Sequence, residues 1–420
     1  MSEPLLDRRD RLLGPRLTTF YDEPVHLVRG AGTKLWDAEG REYLDCYNNV
    51  PHVGHCHPKV VEAICRQAGT LNTHTRYLHE GIVAFAEDLT ATFAEPLNAM
   101  TFTCTGSEAN DIALRMARAV TGKRGIIATD HTYHGNTDAV SQLSCTNPPP
   151  DRWDSVEFVP APDSYRPITA ASWAAHVEAA IRRLEERGHG VAALIICPFF
   201  ANEGFPDLPE GWVLPAVEAV RRAGGLVIAD EVQPGFGRLG THFWGHEKAG
   251  VVPEIVTLGK PMGNGHPVAG VVTERRVMEA FRDTFRYFNT FAGNPVSMAA
   301  AQATLDVIRE EELQENARAV GEYARDGLRD LAGRHACIGD VRGAGLFLGA
   351  ELVLDRSEKT PATEFTKKVA NALRHKGVLM NFLGIHYNVL KIRPPMVFSR
   401  DDADRMLDAV DEALGEVPLA

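Results

Sequence analysis

Between about residues 80 and 310 the chain alternates short apolar segments with longer amphipathic ones, and this alternation restricts its fold more than any other feature. The apolar segments are residues 100–105, 124–130, 192–198, 225–230, 254–259 and 267–273, and helical patterns at 107–122, 172–187 and 212–224 lie between them. Strands without a polar face that alternate with helices are typical of a mainly parallel sheet covered on both sides. The sequence therefore predicts an α/β fold with ligands bound beyond the carboxyl ends of the strands.

The two ends of the chain have a different pattern, with shorter strands and more charge. Residues 346–352 and 389–395 are the clearest strand candidates there, and no obvious linker separates the ends from the middle of the chain. We therefore predict a large domain over residues 76–314. A smaller α+β domain is predicted from residues 1–75 and 315–420 together.

Charge and cysteine usage exclude several classes of protein. The formal net charge is −12, which argues against a nucleic-acid or membrane-surface binder, since both need clustered positive charge. The seven cysteines are odd in number and scattered, which indicates reduced thiols and not a disulfide framework. The first residues show no apolar signal-peptide core, and no apolar run is long enough to span a bilayer. We expect a cytoplasmic protein.

Two predicted strand ends carry the side chains that are best suited to catalysis. Lys260 follows the apolar run 255–258 and is enclosed by glycines and prolines, a setting that a solvated surface lysine would not need. Asp230 closes the strand 225–230 on the same side of the predicted sheet. Taken alone, the lysine could extend to solvent and the aspartate could begin a helix.

Two further strand ends add a phosphate site and an aromatic ring. Gly106 and Ser107 open a helix, where backbone N–H groups and the positive end of the dipole suit a phosphate. Tyr133 and His134 follow another strand end. Each feature alone has a structural explanation, as a helix cap or a satisfied histidine. Together, a phosphate cradle, a stacking ring, a buried acid and a buried amine suit a phosphorylated pyridine aldehyde.

The chain resembles the class III (ω-type) aminotransferases, which are fold-type I pyridoxal 5′-phosphate enzymes. The resemblance rests on the motifs TGSEAN, YHG, IADEVQPGFGRLG, TLGKPMGNGHP, NTFAGNP and GDVRGAGLFLG, which begin at residues 105, 133, 228, 257, 289 and 339. These motifs occur in the family order and extend over most of the chain. The resemblance implies the fold-type I architecture and pyridoxal 5′-phosphate as the cofactor.

The resemblance also implies a role for individual positions. The expected cofactor-binding residues are Gly106, Ser107, Tyr133, His134, Asp230, Val232, Gln233, Lys260 and Thr290. Lys260 would be the Schiff-base lysine, and Asp230 would pair with the pyridine nitrogen. Thr290 would reach the cofactor phosphate of a neighbouring subunit. The resemblance therefore implies a homodimer with shared active sites, and a tetramer is left open.

Longer stretches are similar to the ethanolamine-phosphate and phosphohydroxylysine phospho-lyases within this family. They cover residues 43–61, 71–80, 255–273 and 390–399. This similarity implies elimination of phosphate from O-phosphoethanolamine, which would yield acetaldehyde, ammonia and inorganic phosphate. The substrate would be a small phosphorylated amine, and a longer phosphorylated amino substrate stays open.

Such a substrate requires a cation for its phosphate dianion. Arg76 is the first candidate and Arg393 the second. Arg76 could instead pair with Glu80 at helical spacing. Arg393 could form a salt bridge, or bind a substrate carboxylate as an arginine near this position does in transaminases of the class. Tyr47 and Asn48 are further candidates for the substrate pocket, although a role in the core is equally consistent with the sequence.

Two other functions are compatible with parts of the pattern. An ω-aminotransferase with pyruvate or glyoxylate as acceptor is the main alternative to the lyase. A non-catalytic cofactor-binding fold is disfavoured by the intact Lys260 and Asp230. The histidine-rich segment 52–58 suggests a metal, but a Gly-His-x-His-Pro turn recurs in the family as a wall of the active site. We therefore predict no metal.

Overall fold

The structure is a computed structural model that describes residues 4–15, 17–145 and 148–419. Its strands are β1 (Leu27–Ala31), β2 (Lys34–Asp37), β3 (Glu42–Asp45), β4 (Ala99–Thr103), β5 (Gly125–Thr129), β6 (Val156–Val159), β7 (Val191–Ile196), β8 (Leu226–Asp230), β9 (Ile255–Leu258), β10 (Ala269–Thr273), β11 (Ile338–Ala344), β12 (Phe347–Asp355), β13 (Thr360–Pro361), β14 (Val378–Leu379), β15 (Asn381–Leu383) and β16 (Val389–Ile392). Its helices are α1 (Leu5–Leu13), α2 (Pro58–Ala68), α3 (Glu80–Thr90), α4 (Gly106–Thr121), α5 (Asp138–Ser141), α6 (Ala170–Glu186), α7 (Leu214–Arg222), α8 (Gly245–Lys248), α9 (Arg275–Thr284), α10 (Pro295–Glu310), α11 (Leu313–Arg334), α12 (Thr363–His375) and α13 (Arg400–Glu416). A short 3₁₀ helix covers Lys260–Gly263.

The largest sheet has seven strands in the order β4-β10-β9-β8-β7-β5-β6. Strands β6, β5, β7, β8 and β9 pair in parallel, whereas β10 is antiparallel to both of its neighbours. The chain has too little length between β9 and β10 for the usual helical crossover, so the two strands can pair only in opposite directions. The predicted α/β class is confirmed, and all six predicted strands of this region are present, while β6 was not predicted.

Both faces of this sheet are covered by helices, which explains why its strands lack a polar side. In β7, Ala193 and Ile195 pack in a core that includes residues of α4. The intervening Leu194 and Ile196 pack in a second core with α6 and α7. Because successive side chains of a strand point to opposite faces, burial of both faces requires a continuous apolar run.

Strands from both ends of the chain meet in a separate four-stranded sheet. Its order is β1-β2-β3-β14, and β14 pairs in parallel with β3. Another sheet contains β11, β12, β16 and β15, with β13 paired to β12. These sheets combine the residues that the sequence analysis grouped in a smaller domain, and the proposed boundaries at residues 75/76 and 314/315 stay a prediction.

A search of the helices in the described ranges, 4–15, 17–145 and 148–419, found none with the length and apolar character needed to cross a bilayer.

Helix α11 lies so close to the turn between β11 and β12 that a methyl group would collide with the backbone. A Cβ at Gly321 would lie 2.1 Å from the carbonyl oxygen of Gly345. We expect Gly321→Ala to lower the free energy of unfolding by about 1–3 kcal/mol, as overpacking does. Gly333→Ala in the same helix is the control, because its Cβ would contact nothing within 4 Å. Thermal unfolding of both variants measures the difference, and equal stability would contradict the contact.

Candidate active site

A cavity of about 120 Å³ lies beyond the carboxyl ends of the central strands of the large sheet. It is lined by Gly106, Ser107, Tyr133, His134, Gly135, Cys197, Asp230, Val232, Gln233 and Lys260. Eight of the nine positions that the sequence analysis assigned to cofactor binding are in this set. The parallel arrangement of β5, β7, β8 and β9 brings them together, because their carboxyl ends meet at one edge of the sheet.

Lys260 begins the 3₁₀ helix that follows β9, with a φ of 30°. A non-glycine residue rarely adopts a positive φ, and such strain persists only where the surrounding structure enforces it. Burial lowers the pKa of the Lys260 ammonium, the guanidinium of Arg393 lowers it further, and the Asp230 carboxylate partly opposes both. The amine is therefore shifted toward its neutral, nucleophilic form.

The Asp230 carboxylate is buried and held by three donors. Its Oδ2 lies 2.6 Å from Nδ1 of His134 and accepts a hydrogen bond from Nδ2 of Asn110 at 2.9 Å. Its Oδ1 accepts from the backbone N–H of Val232 at 3.0 Å. These three hydrogen bonds fix the orientation of the carboxylate. The acid is thus fixed in position at the end of β8.

Asn110 connects the Asp230 carboxylate to three other elements. The sequence analysis did not identify Asn110. Its Nδ2 also donates to the backbone oxygen of His134 at 2.7 Å, and its Oδ1 accepts from the hydroxyl of Thr257 in β9 at 2.7 Å. His134 in turn has its Nε2 3.0 Å from the Thr132 hydroxyl. Asn110 lies one helical turn after Gly106 in the motif TGSEAN, and this spacing is the signal that could have found it.

The beginning of α4 leaves two backbone donors for a phosphate. Thr105 caps the helix by accepting from the N–H of Glu108 at 3.1 Å, and the Glu108 carboxylate accepts from the N–H of Thr105 at 3.1 Å. This reciprocal cap uses the donors on either side of Gly106 and Ser107. The N–H groups of these two residues have no partner within the helix. They line the cavity, where they suit an anionic group.

Close backbone approach shapes the same end of the cavity. A Cβ at Gly135, whose φ is 140°, would lie 2.4 Å from Oγ of Ser107, and a Cβ at Gly259 would lie 3.3 Å from Cα of Gly106. Only glycine fits at the first of these positions. The cradle at α4 therefore lies directly against the strand end that carries Lys260. This cradle, the fixed acid and the buried amine fit pyridoxal 5′-phosphate.

Behind Gln233 the structure places two cations together. The side-chain oxygen Oε1 of Gln233 accepts from Nζ of Lys391 at 3.2 Å and from the guanidinium of Arg393. The guanidinium also donates to the backbone oxygen of Tyr47 at 2.9 Å. Among the described residues, neither Lys391 nor Arg393 forms an ion pair with a carboxylate. The salt-bridge explanation of Arg393 therefore has no partner in the described parts of the chain.

Lys391 is a residue that the sequence analysis missed. Its side chain is only 2% exposed and lies over the rings of Phe205 and Phe347, at 5.7 and 5.8 Å. Burial places the pKa of its ammonium well below the ordinary value, and the charges of Arg393 and Lys260 lower it further. Residues two apart on an extended chain share a face, so its spacing from Arg393 in LKIRPP was the available signal.

Arg76 and Thr290 lie outside this cavity. Both are exposed, and the Arg76 guanidinium stacks on the ring of Phe288 with its central carbon 4.0 Å from the ring centre. No ion pair joins Arg76 to Glu80 within the residues that the structure describes. A role for Arg76 or Thr290 in this kind of site therefore requires the cavity of a second subunit.

Tyr47 and Asn48 take different positions around Arg393. The ring of Tyr47 lies under the Arg393 guanidinium, 4.7 Å from its central carbon. The side-chain amide of Asn48 instead donates to Oδ2 of the buried Asp45 at 3.0 Å, and its backbone N–H donates to Oδ1. Both residues line a second cavity of about 530 Å³ beside α1. Tyr47 thus supports the cation pair, whereas Asn48 stabilises a turn.

The three histidines of segment 52–58 have separate partners. His52 lies 2.8 Å from the backbone oxygen of Phe236, His55 lies 2.7 Å from the Asp45 carboxylate, and His57 lies 3.2 Å from that of Glu311. In residues 4–15, 17–145 and 148–419, no group of three or more histidine, cysteine or acidic side chains has the geometry of a metal site.

The contact between Gly135 and Ser107 gives a test of the cradle. We expect Gly135→Ala to displace Ser107 and to weaken the affinity of the protein for pyridoxal 5′-phosphate by about tenfold or more, which corresponds to ~1.4 kcal/mol. Gly122→Ala is the control, since Gly122 also has a positive φ but its Cβ would contact nothing within 4 Å. Titration of the cofactor-free variants by visible absorbance measures the affinities. Equal affinity in the two variants would contradict the role of this end of α4.

Comparison with known proteins places this geometry in a family. The model of the family "Aminotransferase class-III" matches residues 20–414. A Drosophila melanogaster protein named alanine–glyoxylate aminotransferase 2-like is 43% identical, over 97% of this chain and 86% of its own length. A Caenorhabditis elegans protein named ethanolamine-phosphate phospho-lyase homolog 1 is 38% identical, over 98% of this chain and 93% of its own.

A solved structure has the same fold over its whole length. It is a phospholyase from Arthrobacter in complex with phosphoethanolamine, with a TM-score of 0.95 and 43% identity over 99% of this chain and 100% of that one. The enzymes of this group depend on pyridoxal 5′-phosphate. The cavity, its residues and the similarity along nearly the entire sequence lead to one conclusion: the chain belongs to the class III aminotransferase family.

Proposed function

We propose that this enzyme is a phospho-lyase that eliminates phosphate from O-phosphoethanolamine. The products would be acetaldehyde, ammonia and inorganic phosphate. The observation that carries the proposal is the buried pair of Lys391 and Arg393, whose side chains share a neutral amide oxygen beside the cofactor cavity. Burial lowers the pKa of both groups, and a phosphate dianion bound beside them would favour their charged forms.

Bound pyridoxal 5′-phosphate supplies an acceptor for the electron pair left when the substrate carbon next to nitrogen loses a proton. Lys260 is positioned to hold the cofactor aldehyde and, once released, to take that proton on its Nζ. His134 and Asn110 fix the orientation of the Asp230 carboxylate. It can therefore stabilise a protonated pyridine nitrogen. The N–H groups of Gly106 and Ser107 would hold the cofactor phosphate at the opposite end.

The cation pair decides what happens after proton removal. An amine with phosphate on its second carbon and no carboxylate would place the phosphate, not an acid group, against Arg393. Arginine binds phosphate through two parallel donors, and a lysine beside it adds a concentrated charge. Loss of the phosphate would then be faster than return of the proton. The phosphoethanolamine bound to the Arthrobacter phospholyase supports the same substrate here.

An ω-aminotransferase with pyruvate or glyoxylate as acceptor is the second candidate. Arg393 is the observation that favours it, because a guanidinium with neutral oxygen partners suits a substrate carboxylate as well as a phosphate. The relative named alanine–glyoxylate aminotransferase 2-like points in this direction. Lys391 favours the lyase, since a phosphate dianion can compensate two basic side chains, whereas a monoanionic carboxylate can compensate only one.

We further propose a homodimer in which each subunit completes the site of the other. Segments 75–83 and 288–292 line a common surface cavity of about 410 Å³. Large apolar side chains are exposed on these segments and next to them, namely Leu71, Tyr77, Leu78, Val83 and Phe291. Exposed apolar surface of this kind marks an interaction site. Arg76 and Thr290 belong to the same surface, so association through it would bring them toward a partner's cavity.

A reducing compartment such as the cytoplasm is the setting that we propose for this enzyme. All seven cysteines are unpaired, which supports it.

Phosphate release without an acceptor tests the proposed reaction. We expect the cofactor-loaded enzyme to release inorganic phosphate and acetaldehyde continuously from phosphoethanolamine when no keto acid is present, because elimination needs no second substrate. The measurement is a phosphate assay coupled to aldehyde detection. Lys260→Ala, which lacks the proton acceptor, is the control and should release none. Loss of the visible absorbance band in one turnover, reversed by pyruvate and without phosphate release, would indicate the aminotransferase.

The dimeric site predicts a kinetic role for an exposed arginine. We expect Arg76→Ala to raise the KM for phosphoethanolamine by about 30-fold or more, the loss typical when one partner of a desolvated charge pair is removed. The visible absorbance of the bound cofactor should not change. The control is Arg66→Ala, because Arg66 is exposed and pairs with Glu62 on the outside of α2. Steady-state kinetics that do not distinguish the two variants would remove Arg76 from the substrate site.

A further inference from the structure

Elimination from a phosphate ester requires a proton for the departing oxygen, and the cofactor does not supply it. If the carbon–oxygen bond breaks with no proton on the bridging oxygen, the phosphate must leave as a trianion, which is a poor leaving group. A proton donor at that oxygen lets it leave as the hydrogen phosphate dianion. General acid catalysis of this kind typically contributes about 10²–10⁴-fold in rate. A proton donor within the phosphate subsite is therefore chemically required for fast turnover.

Arg393 cannot be that donor. Its guanidinium would bind the phosphate, but a guanidinium keeps its proton under all ordinary conditions, so it cannot donate one. Lys260 is occupied with the proton that it removes from carbon. Glu203 is buried nearby, but its two oxygens already accept from the Thr129 hydroxyl at 2.5 Å and from the N–H of Asn202 at 3.1 Å.

Lys391 has the position and the chemistry that the other groups lack. It lies on β16 two residues before Arg393, so both side chains project from the same face, and both reach Oε1 of Gln233, which lines the cavity. The charged and titratable groups that act on it are Arg393, Lys260, Cys197 and Glu203. Burial and the charges of Arg393 and Lys260 lower the pKa of its ammonium in the empty site. A phosphate dianion bound beside it would favour the ammonium, which could then act as the proton donor.

Asn202 fixes the orientation of the Gln233 side chain. The Nε2 of Gln233 donates to Oδ1 of Asn202 at 3.3 Å, which keeps Oε1 of Gln233 toward Lys391 and Arg393. The rings of Phe205 and Phe347 lie along Lys391 and exclude water from it. A lysine held in this way is shielded from solvent while an anion is bound.

We propose that Lys391 protonates the leaving phosphate while Arg393 holds it, an inference that rests on the proposed phospho-lyase function. Nζ of Lys260 takes the proton from the carbon next to nitrogen, and that electron pair forms the new carbon–carbon double bond. The carbon–oxygen bond breaks with its electrons on oxygen, and the oxygen takes a proton from Nζ of Lys391. Hydrogen phosphate leaves as the dianion, and the neutral Lys391 amine regains a proton from water.

Replacement of Lys391 by arginine distinguishes the two roles of this residue, since arginine keeps the positive charge but cannot donate a proton. The probe for binding is 2-aminoethylphosphonate, whose carbon–phosphorus bond does not break, and its affinity for the cofactor-loaded enzyme is read from the visible absorbance. We expect Lys391→Arg to bind this probe within about threefold of the unmodified enzyme, because the charge is kept. Its kcat for phosphate release from phosphoethanolamine should fall by about 10²-fold or more. Lys391→Met should lose affinity and kcat together.

A sulfate ester supplies the matched substrate. Sulfate is the conjugate base of a strong acid and leaves without a proton, so 2-aminoethyl sulfate needs no general acid. In each variant the loss of kcat for the phosphate ester should exceed that for the sulfate ester by about tenfold or more. Because both values come from one preparation, this ratio does not depend on how much of the variant is folded. It therefore remains valid in Lys391→Met if the larger arginine does not fit.

Two results would overturn the inference alone: wild-type kcat in Lys391→Arg, or equal losses of kcat for the two esters. The unmodified enzyme is the reference that distinguishes failure of the inference from failure of the proposed function. If it releases no phosphate from phosphoethanolamine, the proposed function fails and the inference fails with it. An alkaline decrease of kcat in the unmodified enzyme that is absent from Lys391→Arg would support the titration of this lysine in the complex.

Discussion

The active site depends on one buried network around the Asp230 carboxylate. Asn110 on α4 donates to this carboxylate and accepts from Thr257 on β9, while His134 approaches it from the loop after β5. Four elements are therefore fixed to one another by groups that would be costly to leave unpaired in a buried position. The same network sets where the α4 cradle lies relative to Lys260. The parallel sheet beneath this network is rigid, so the positions of its side chains are well defined.

Charge is distributed unevenly around the cavity, with several basic side chains close to Gln233. The acid and its donors lie on one side, and Lys260, Lys391 and Arg393 gather toward Gln233 on the other. In a chain with a net charge of −12, three neighbouring basic side chains form a local exception. Burial lowers the pKa of all three groups, and an anionic group placed among them would favour their charged forms because the local dielectric is low.

The central fold and most of the cavity lining were predictable because both follow from local sequence. The strands of the large sheet are apolar on both faces, and their polar ends lie where parallel strands place ligands. The antiparallel direction of β10 could not be predicted from its apolar pattern, since that pattern is the same in either direction. Asn110 and Lys391 were missed because their hydrogen-bond partners Asp230 and Gln233 lie more than a hundred residues away in the sequence.

The sequence by itself determined the alternation of strands and helices, the family motifs and the types of residue that a phosphorylated pyridine cofactor needs. These are properties of short segments, so they are present before the chain folds. Only the tertiary structure decided that Lys391 and Arg393 share Gln233, and that Arg76 lies outside its own cavity. Contacts between positions more than a hundred residues apart depend on how the sheets pack, and no local pattern encodes that packing.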